Sequence, residues 1–205
     1  MQSTKQPHVL QHNESVPRHI SRRELAQALL AGVAAGLISP LCSAVHPIHR
    51  HLLNAALLDS ADANLSAAND NPQFLSVQQF AELDILSEAI VPGSHNARAA
   101  AFIDLLLSAD TKNVQQEFLA SLTAFESASQ SSYRAEMVAL TRSQLHTLLT
   151  AVSSADSADH KHFGYLKQWI SGAYYSSEIG MRELGWTPDR VFSVFPPCSH
   201  TESHS

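Results

Sequence analysis

The stretch LSVQQFAELDILSEAIVPGS, residues 75–94, carries every signal of one amphipathic helix. Ser76 and Gln79 have the spacing of a capping box, and Leu75 and Phe80 have the spacing of a hydrophobic staple. Bulky apolar residues then recur at intervals of three or four positions: Phe80, Leu83, Leu86 and Ile90. Proline and glycine are typical just beyond a helix, so we expect the Pro-Gly pair to end it. The stretch therefore predicts a helix with one buried face.

The same helical periodicity recurs along the rest of the chain. Four more stretches show it: 97–107, 112–127, 141–152 and 163–174. The third of these opens on a second capping box, formed by Thr141 and Gln144. No run alternates apolar and polar residues over a length that suits a β-strand. The chain has 205 residues, 44% of them hydrophobic, and is predicted to be all-α, a small bundle of about five to six helices over 74–198.

Paired arginines near the N-terminus precede an apolar run. Arg22 and Arg23 stand before ALLAGVAAGLISPL, residues 28–41, and small residues follow at 42–44. The run is shorter than the ~20 apolar residues that a membrane span requires. The order of basic, apolar and small segments is that of a secretory signal. The segment resembles a twin-arginine signal over 1–44, with cleavage after Ala44 and with these motif residues: Ser21, Arg22, Arg23 and Leu25.

Two other interpretations of this segment stay open. It could be an amphipathic or core helix that begins with Arg-Arg, or a lipoprotein signal through Cys42. The signal interpretation has a consequence, because the twin-arginine route resembles one used for cargo that is already folded, often around a bound cofactor. We therefore ask which cofactor the cargo would carry.

The chain offers no obvious cofactor site of its own. It contains neither a G-x-G-x-x-G nor a G-x-x-x-x-G-K-[ST] loop, so flavin or nucleotide binding of the usual kind is not expected. Its two cysteines form no C-x-x-C-H motif, which excludes covalent c-type haem. We predict no cofactor and no catalysis in this chain, and any redox group would belong to a partner.

Histidine is the one enriched type of metal ligand, with 12 residues. His46, His49 and His51 cluster after the signal, and His160 and His162 form an H-x-H pair. Imidazoles can bind copper, zinc or nickel, but no cysteine or carboxylate at a suitable spacing completes a tetrahedral set. Solvated loops are the simpler interpretation. The alternative function is a free-standing periplasmic helical protein that binds metal through these histidines.

Charge and cysteine content limit the partners further. Cleavage after Ala44 would leave nine basic against 17 acidic residues, a formal charge of −8, which disfavours nucleic-acid binding. Cys198 would then be the only cysteine, either free or bonded to another chain. Residues 45–73 are rich in Asn, Asp, Ala and Ser and are predicted to be a polar arm in which only the apolar patch at 52–58 indicates a short helix. Residues 199–205 are predicted to be a polar tail.

The stretch YYSSEIGMRELGW, residues 174–186, predicts a short capped helix. Either serine of its SS pair can cap the helix, and Gly185 suits its C-terminal stop. Glu178 and Arg182 have the i, i+4 spacing of an ion pair. A glycine inside a helix costs about 0.5 to 1 kcal/mol relative to alanine. We therefore expect another backbone to approach Gly180 closely.

Two roles fit this stretch. Its apolar residues could complete the core, as those of short amphipathic helices usually do. Its aromatic, Met and Arg content is also that of the centre of a protein interface. The candidate docking residues are Tyr174, Tyr175, Glu178, Ile179, Met181, Arg182, Leu184 and Trp186.

The same stretch, with the FSVFPPC that follows it, resembles the C-terminal signature of the gluconate 2-dehydrogenase subunit 3 family. LSVQQFAELDILSEAIVPGS is similar to the first helix of that family, and AAFIDLLLS is similar to its second helix. The resemblance covers residues 75–198. It departs at SHNARAAAF, where the family tends to have a turn that contains glycine.

The resemblance implies a non-catalytic small subunit of a periplasmic complex at the inner membrane. Its partners would be a large FAD-containing subunit of the glucose-methanol-choline oxidoreductase type and, in many such complexes, a multihaem cytochrome c subunit. The signal, read by the twin-arginine translocase, would carry a folded partner that lacks a signal of its own. Cys198 would then be a candidate intersubunit thiol.

Overall fold

The computed structural model describes residues 21–24, 47–51, 54–66 and 71–185. Within these ranges every regular element is a helix and no strand occurs, so the predicted all-α class is confirmed for the described chain. Leu25, Trp186, Cys198 and the apolar run at 28–41 lie outside the described residues. The predictions made for them stay predictions.

Seven α-helices follow a helical turn at 22–24 in the described chain. They are α1 (Ala55–Ser66), α2 (Val77–Ile90), α3 (Ala99–Ser108), α4 (Lys112–Tyr133), α5 (Arg142–Ser153), α6 (His160–Tyr175) and α7 (Glu178–Glu183). Short 3₁₀ helices occupy His49–His51 and Met137–Ala139. The predicted stretches therefore correspond to α2 to α6, and the short C-terminal helix corresponds to α7.

Helix α6 forms the centre of the bundle and contacts α2, α3, α4, α5 and α7. Its residues Leu166, Trp169 and Ile170 are fully buried. The Trp169 ring meets Phe118 of α4 edge to face, with 5.6 Å between ring centroids and 85° between ring planes. This is a favoured geometry for aromatic pairs. Because α6 ends at Tyr175, it brings the C-terminal stretch onto the core.

Both predicted capping boxes are present. The Ser76 hydroxyl accepts the N–H of Gln79, and the Gln79 side chain accepts the N–H of Ser76 at 3.0 Å. Thr141 and Gln144 make the same reciprocal pair at the start of α5. Each box satisfies backbone donors that have no partner within the helix. The sequence signals therefore report the true starts of α2 and α5.

Helix α4 extends beyond the predicted end at residue 127 and continues to Tyr133. No proline or glycine interrupts the polar segment at 128–133, so nothing in it ends the helix. Arg134 stops the helix instead, in the left-handed conformation with φ of 54°. The buried Ser129 hydroxyl donates to the carbonyl of Ala135 and fastens this end.

Helix α1 lies within the segment predicted to be a polar arm. Its residues Leu57, Leu58 and Ala61 are buried in the core cluster, and the helix contacts α3. The apolar patch predicted at 52–58 thus supplies part of a helix that is longer than expected. The Arg98 guanidinium donates to the carbonyl of Asn64, in the last turn of α1, at 3.1 Å. Part of the predicted arm therefore packs on the bundle.

Candidate functional site

The end of α6 and the start of α7 are joined by a tight turn that two serines organise. The Ser177 hydroxyl accepts the N–H of Gly180 at 3.1 Å and caps α7. The same hydroxyl donates to the carbonyl of Tyr174 at 2.6 Å. Ser176 is the last residue before this cap, and its hydroxyl donates to the carbonyl of Ala173. One side chain thus satisfies a backbone group of each helix, which fixes α7 against the end of α6.

Gly180 lies close to another backbone segment, as expected from the free-energy cost of a glycine inside a helix. A Cβ on Gly180 would lie 2.9 Å from the carbonyl carbon of Tyr174 and 3.0 Å from the Cα of Tyr175. Real Cβ atoms are not found this close to a backbone, so no larger residue fits without a shift. Gly185 follows α7 with φ of 75° and ends it, as predicted.

Glu178 and Arg182 form the predicted ion pair across one turn of α7. The Arg182 guanidinium donates from Nη2 and Nε to Oε1 of Glu178, at 2.7 and 2.9 Å. Glu178 stands at the N-terminal end of the helix and Arg182 in its last turn, so both charges also suit the helix dipole. The pair orders the outer face of α7.

The described candidate docking residues fall into buried and exposed sets, apart from Glu178, which is of intermediate exposure. Tyr174 and Met181 are buried, with exposed fractions of 4% and 8%. Tyr175, Ile179 and Leu184 are exposed at 39%, 42% and 65%, and Arg182 is also exposed. In the described chain Val77 is the only other large hydrophobic residue this exposed. We call Tyr175, Ile179 and Leu184 the apolar patch of α7.

Tyr174 connects this segment to the Pro-Gly turn after α2. A Cβ on Gly93, where φ is +91°, would lie 3.2 Å from the Tyr174 hydroxyl oxygen. The Tyr174 ring also meets the Tyr175 ring edge to face, at 5.1 Å between centroids. Burial of the phenol, together with the negative charge of the nearby Glu183 carboxylate, raises the pKa of Tyr174 to about 12. The phenol is neutral at physiological pH, and its contact with Gly93 could not be predicted from the sequence, because the two residues lie far apart along the chain.

The predicted export motif lies partly inside the fold. Ser21 and Glu24 form a capping box of their own, because the Glu24 carboxylate accepts the Ser21 N–H and the Ser21 hydroxyl accepts the Glu24 N–H. The Arg22 side chain is buried against the loop before α3, the Phe102 ring of α3 and the end of α6, and Arg23 pairs with Asp59 of α1. Sequence reasoning missed this placement, because nothing in a linear motif reports contacts with residues far along the chain.

A comparison with protein-family models identifies the family of this chain. The model described as gluconate 2-dehydrogenase subunit 3 matches residues 77–189, more than half of the sequence. The chain belongs to this family. A search of curated proteins and a search of solved structures each found no match. Membership indicates an accessory subunit of a dehydrogenase complex, whose catalytic partners are other subunits.

Three histidines of this subunit 3 family member make structural contacts through their side chains. His51 Nε2 lies 3.0 Å from Oδ2 of Asp110, whose side chain is 3% exposed. His162 Nδ1 lies 3.0 Å from the Ser121 hydroxyl, and His160 Nδ1 lies 2.8 Å from the carbonyl oxygen of Ser153. His46 and the side chain of His49 lie outside the described residues. The part of the chain that the structure describes contains no group of three or more metal-ligating side chains.

A helix that spans a membrane must be both long and strongly apolar. Among the described residues, no helix combines the necessary length with sufficient apolar character. The longest described helix, α4, has 22 residues but presents many Ser, Gln and Glu side chains.

Proposed function

We propose that this chain is the non-catalytic small subunit of a periplasmic flavoprotein dehydrogenase complex and escorts the catalytic subunit through twin-arginine export. The match of the subunit 3 family over residues 77–189 carries the proposal. The partner is then a large FAD-containing subunit of the glucose-methanol-choline type. A multihaem cytochrome c subunit is a further candidate partner, and the complex resides at the periplasmic side of the inner membrane.

The apolar patch of α7 is the proposed docking surface for the flavoprotein. Exposed Ile179 and Leu184 would each lose contact with water on docking, and Arg182 stands between them in sequence with its guanidinium at the surface. Apolar anchors beside an arginine are the composition found at the centres of protein interfaces. Buried Tyr174 and Gly180 hold the patch in place instead of contacting the partner.

Affinity purification from the native cells tests the docking surface. The full chain with a C-terminal tag should elute with a larger chain and a flavin absorption spectrum. The double variant Ile179→Ser with Leu184→Ser should elute with neither the larger chain nor the flavin spectrum, because the two substitutions remove the apolar anchors. Val77→Ser is the matched control, since Val77 is 77% exposed on α2 and lies outside the patch. It should recover as much flavoprotein as the unchanged chain.

Two results would contradict the docking proposal. A colourless chain that elutes alone would remove the flavoprotein partner altogether. Equal recovery of flavoprotein by the double variant would instead leave the partner in place and exclude the α7 patch. Circular dichroism on each variant establishes that the helical content is unchanged, so that loss of partner cannot come from unfolding.

The export half of the proposal has a separate test. Residues 1–44 fused to an unrelated folded reporter should carry the reporter to the periplasm, and replacement of Arg22 and Arg23 by lysine should retain it in the cytoplasm. Transport that survives the double replacement would argue against a twin-arginine signal.

A further inference from the structure

The Arg22 side chain occupies a site that the folded domain builds around it. Its residue exposure is 4%, and its guanidinium donates to three acceptors. These are the carbonyl of Ala97 at 3.0 Å, the carbonyl of Ala173 at 3.2 Å and the hydroxyl of Ser176 at 3.0 Å. The guanidinium plane also covers the Phe102 ring, with 3.9 Å from Cζ to the ring centroid. We call this set the arginine site.

The chemistry of the arginine site suits a guanidinium in particular. Its planar fork can donate to several acceptors at once while its face stacks on an aromatic ring, which an ammonium cannot reproduce. Ala173 lies in the last turn of α6, where carbonyls lack partners within the helix and the dipole is negative. Burial lowers the pKa of Arg22 to about 10, against the opposing effect of Asp62, so the side chain stays protonated at neutral pH.

The residues around Arg22 are held by the same part of the fold. The backbone N–H of Arg22 donates to Oδ1 of Asp62 at 3.0 Å, and Nη1 of Arg23 lies 3.0 Å from Oδ2 of Asp59. Both carboxylates belong to α1, which Arg98 fixes by its bond to Asn64. The contacts join residues up to 154 positions apart in sequence, so they exist only once the whole domain has folded.

We propose that the arginine site sequesters the paired arginines of the export motif in the folded chain, as an autoinhibitory contact that keeps them from the translocase. The proposal rests on the proposed export function. A receptor that recognises two adjacent arginines must contact their guanidinium groups, and here one is enclosed and the other is paired with a carboxylate. The site must therefore open before the motif can be read.

Limited trypsin digestion of the purified full chain measures the sequestration directly. Cleavage after Arg22 and Arg23, quantified by mass spectrometry, should be slow because the bonds are protected while the segment is docked. Asp62→Ala removes the acceptor of the Arg22 N–H, and Ser176→Ala removes one guanidinium acceptor. Each should speed cleavage at these two bonds by about tenfold, the effect of one charge-assisted hydrogen bond.

Ser60→Ala is the matched control for digestion. Ser60 lies on α1 close to Asp62, is exposed, and its hydroxyl bonds only the carbonyl of Ala56 among the described contacts. This variant should be cleaved at the rate of the unchanged chain. Rapid cleavage after Arg22 in the unchanged chain, or equal rates in all four proteins, would overturn the proposal.

An export assay then separates this proposal from the export function on which it rests. Expressed without partner subunits, the unchanged chain should stay mostly in the cytoplasm, and Asp62→Ala and Ser176→Ala should each raise its periplasmic fraction several-fold. If these variants are exported no better than the unchanged chain while the 1–44 reporter fusion is exported, sequestration is wrong and the signal stands. If the fusion itself is not exported, the signal is wrong, and sequestration as an inhibitory device falls with it even where the digestion shows docking.

Discussion

Gly180 lies against the carbonyl group of Tyr174, so closely that a Cβ at position 180 would overlap the carbonyl oxygen. This contact lets α7 fold back onto the last turn of α6. The Ser177 hydroxyl completes the turn by bonding both Gly180 and Tyr174. The orientation of the apolar patch on α7 therefore depends on the absence of a side chain at one position.

Replacement of Gly180 should separate α7 from α6. We expect Gly180→Ala to lower the free energy of unfolding by about 1 to 3 kcal/mol, because the obstructing atoms are backbone and cannot rotate away. The larger Gly180→Leu should also abolish recovery of the partner complex. Urea unfolding and affinity purification measure the two effects.

Gly164 provides the matched control for this prediction. It lies inside α6, and a Cβ there would meet no atom within 4 Å. Gly164→Ala should raise the free energy of unfolding by about 0.5 to 1 kcal/mol, since alanine restricts the unfolded chain and favours the helix. If both variants shift stability in the same direction, the close approach at Gly180 is not what constrains that position.

The contrast between Gly180 and Arg22 shows which features a sequence can reveal. The capping boxes at Ser76 and Thr141 are local, since donor and acceptor lie three residues apart and the pattern contains both. Gly180 could be interpreted because a glycine inside a helix has a cost that needs a compensating contact. In each of these cases the physical reason for the residue lies no more than six positions away along the chain.

The burial of Arg22 and the packing of α1 on the bundle could not be predicted in this way. The partners of Arg22 come from the loop before α3 and the end of α6, and a charged residue gives no local sign that it will be buried. Helix α1 has seven Ala and Leu among its 12 residues, but Leu57, Leu58 and Ala61 are buried only through contact with the folded bundle. Long-range packing, not local propensity, determines both features.

The Asp104 carboxylate should be among the most important polar groups of the core. It is buried in α3 and accepts the N–H groups of Gln73, Phe74 and Leu75 at 2.6, 3.1 and 2.7 Å. Asp104→Ala leaves these donors without an acceptor and should lower the free energy of unfolding by about 3 kcal/mol.

Asp104→Asn should have an intermediate effect in the same urea unfolding experiment, because it keeps one acceptor oxygen and loses the charge. The exposed Asp156 is the control position, and Asp156→Ala should change stability by less than about 0.5 kcal/mol. If Asp104→Ala lowers the free energy of unfolding by no more than Asp156→Ala does, the three hydrogen bonds make no net contribution to stability.

Two arginines in the left-handed conformation should respond differently to glycine. Arg134, with φ of 54°, ends α4 and is exposed, so Arg134→Gly should raise the free energy of unfolding by about 1 kcal/mol by removing the steric cost. Arg98, with φ of 51°, ends the turn before α3, but its guanidinium also bonds the Asn64 carbonyl.

Arg98→Gly should also remove the steric cost of the left-handed backbone, but it loses the hydrogen bond to the Asn64 carbonyl of α1. The free energy of unfolding should therefore change little. Thermal unfolding of the two variants, compared at one pH, measures the difference. A stabilisation by Arg98→Gly equal to that of Arg134→Gly would show that the contact with Asn64 does not hold α1 on the bundle.

Two glutamates on α2 should give the subunit pH-dependent stability of opposite sign. Burial, reinforced by the charges of Glu126 and Glu136, raises the pKa of Glu82. The Glu82 carboxyl therefore binds a proton more tightly in the folded protein than in the unfolded chain. The charged carboxylate lowers the free energy of unfolding at neutral pH, and this destabilisation disappears as the pH falls and the carboxyl is protonated. Glu82→Gln should gain on the order of 1 kcal/mol near pH 7 and nothing near pH 3.

Glu88 is the matched control, because the pKa shift has the opposite direction. Partial burial opposes the shift, but the N–H groups of Gly93 and His95, at 3.0 and 2.9 Å, lower the pKa of this carboxyl. Its contribution is present above the unfolded pKa and is lost as pH falls, so Glu88→Gln should destabilise near pH 7 and have little effect near pH 3. Urea midpoints across this pH range give both differences. If the stability changes of Glu82→Gln and Glu88→Gln vary with pH in the same direction, then burial at Glu82 and the backbone hydrogen bonds at Glu88 do not determine the pH dependence of stability.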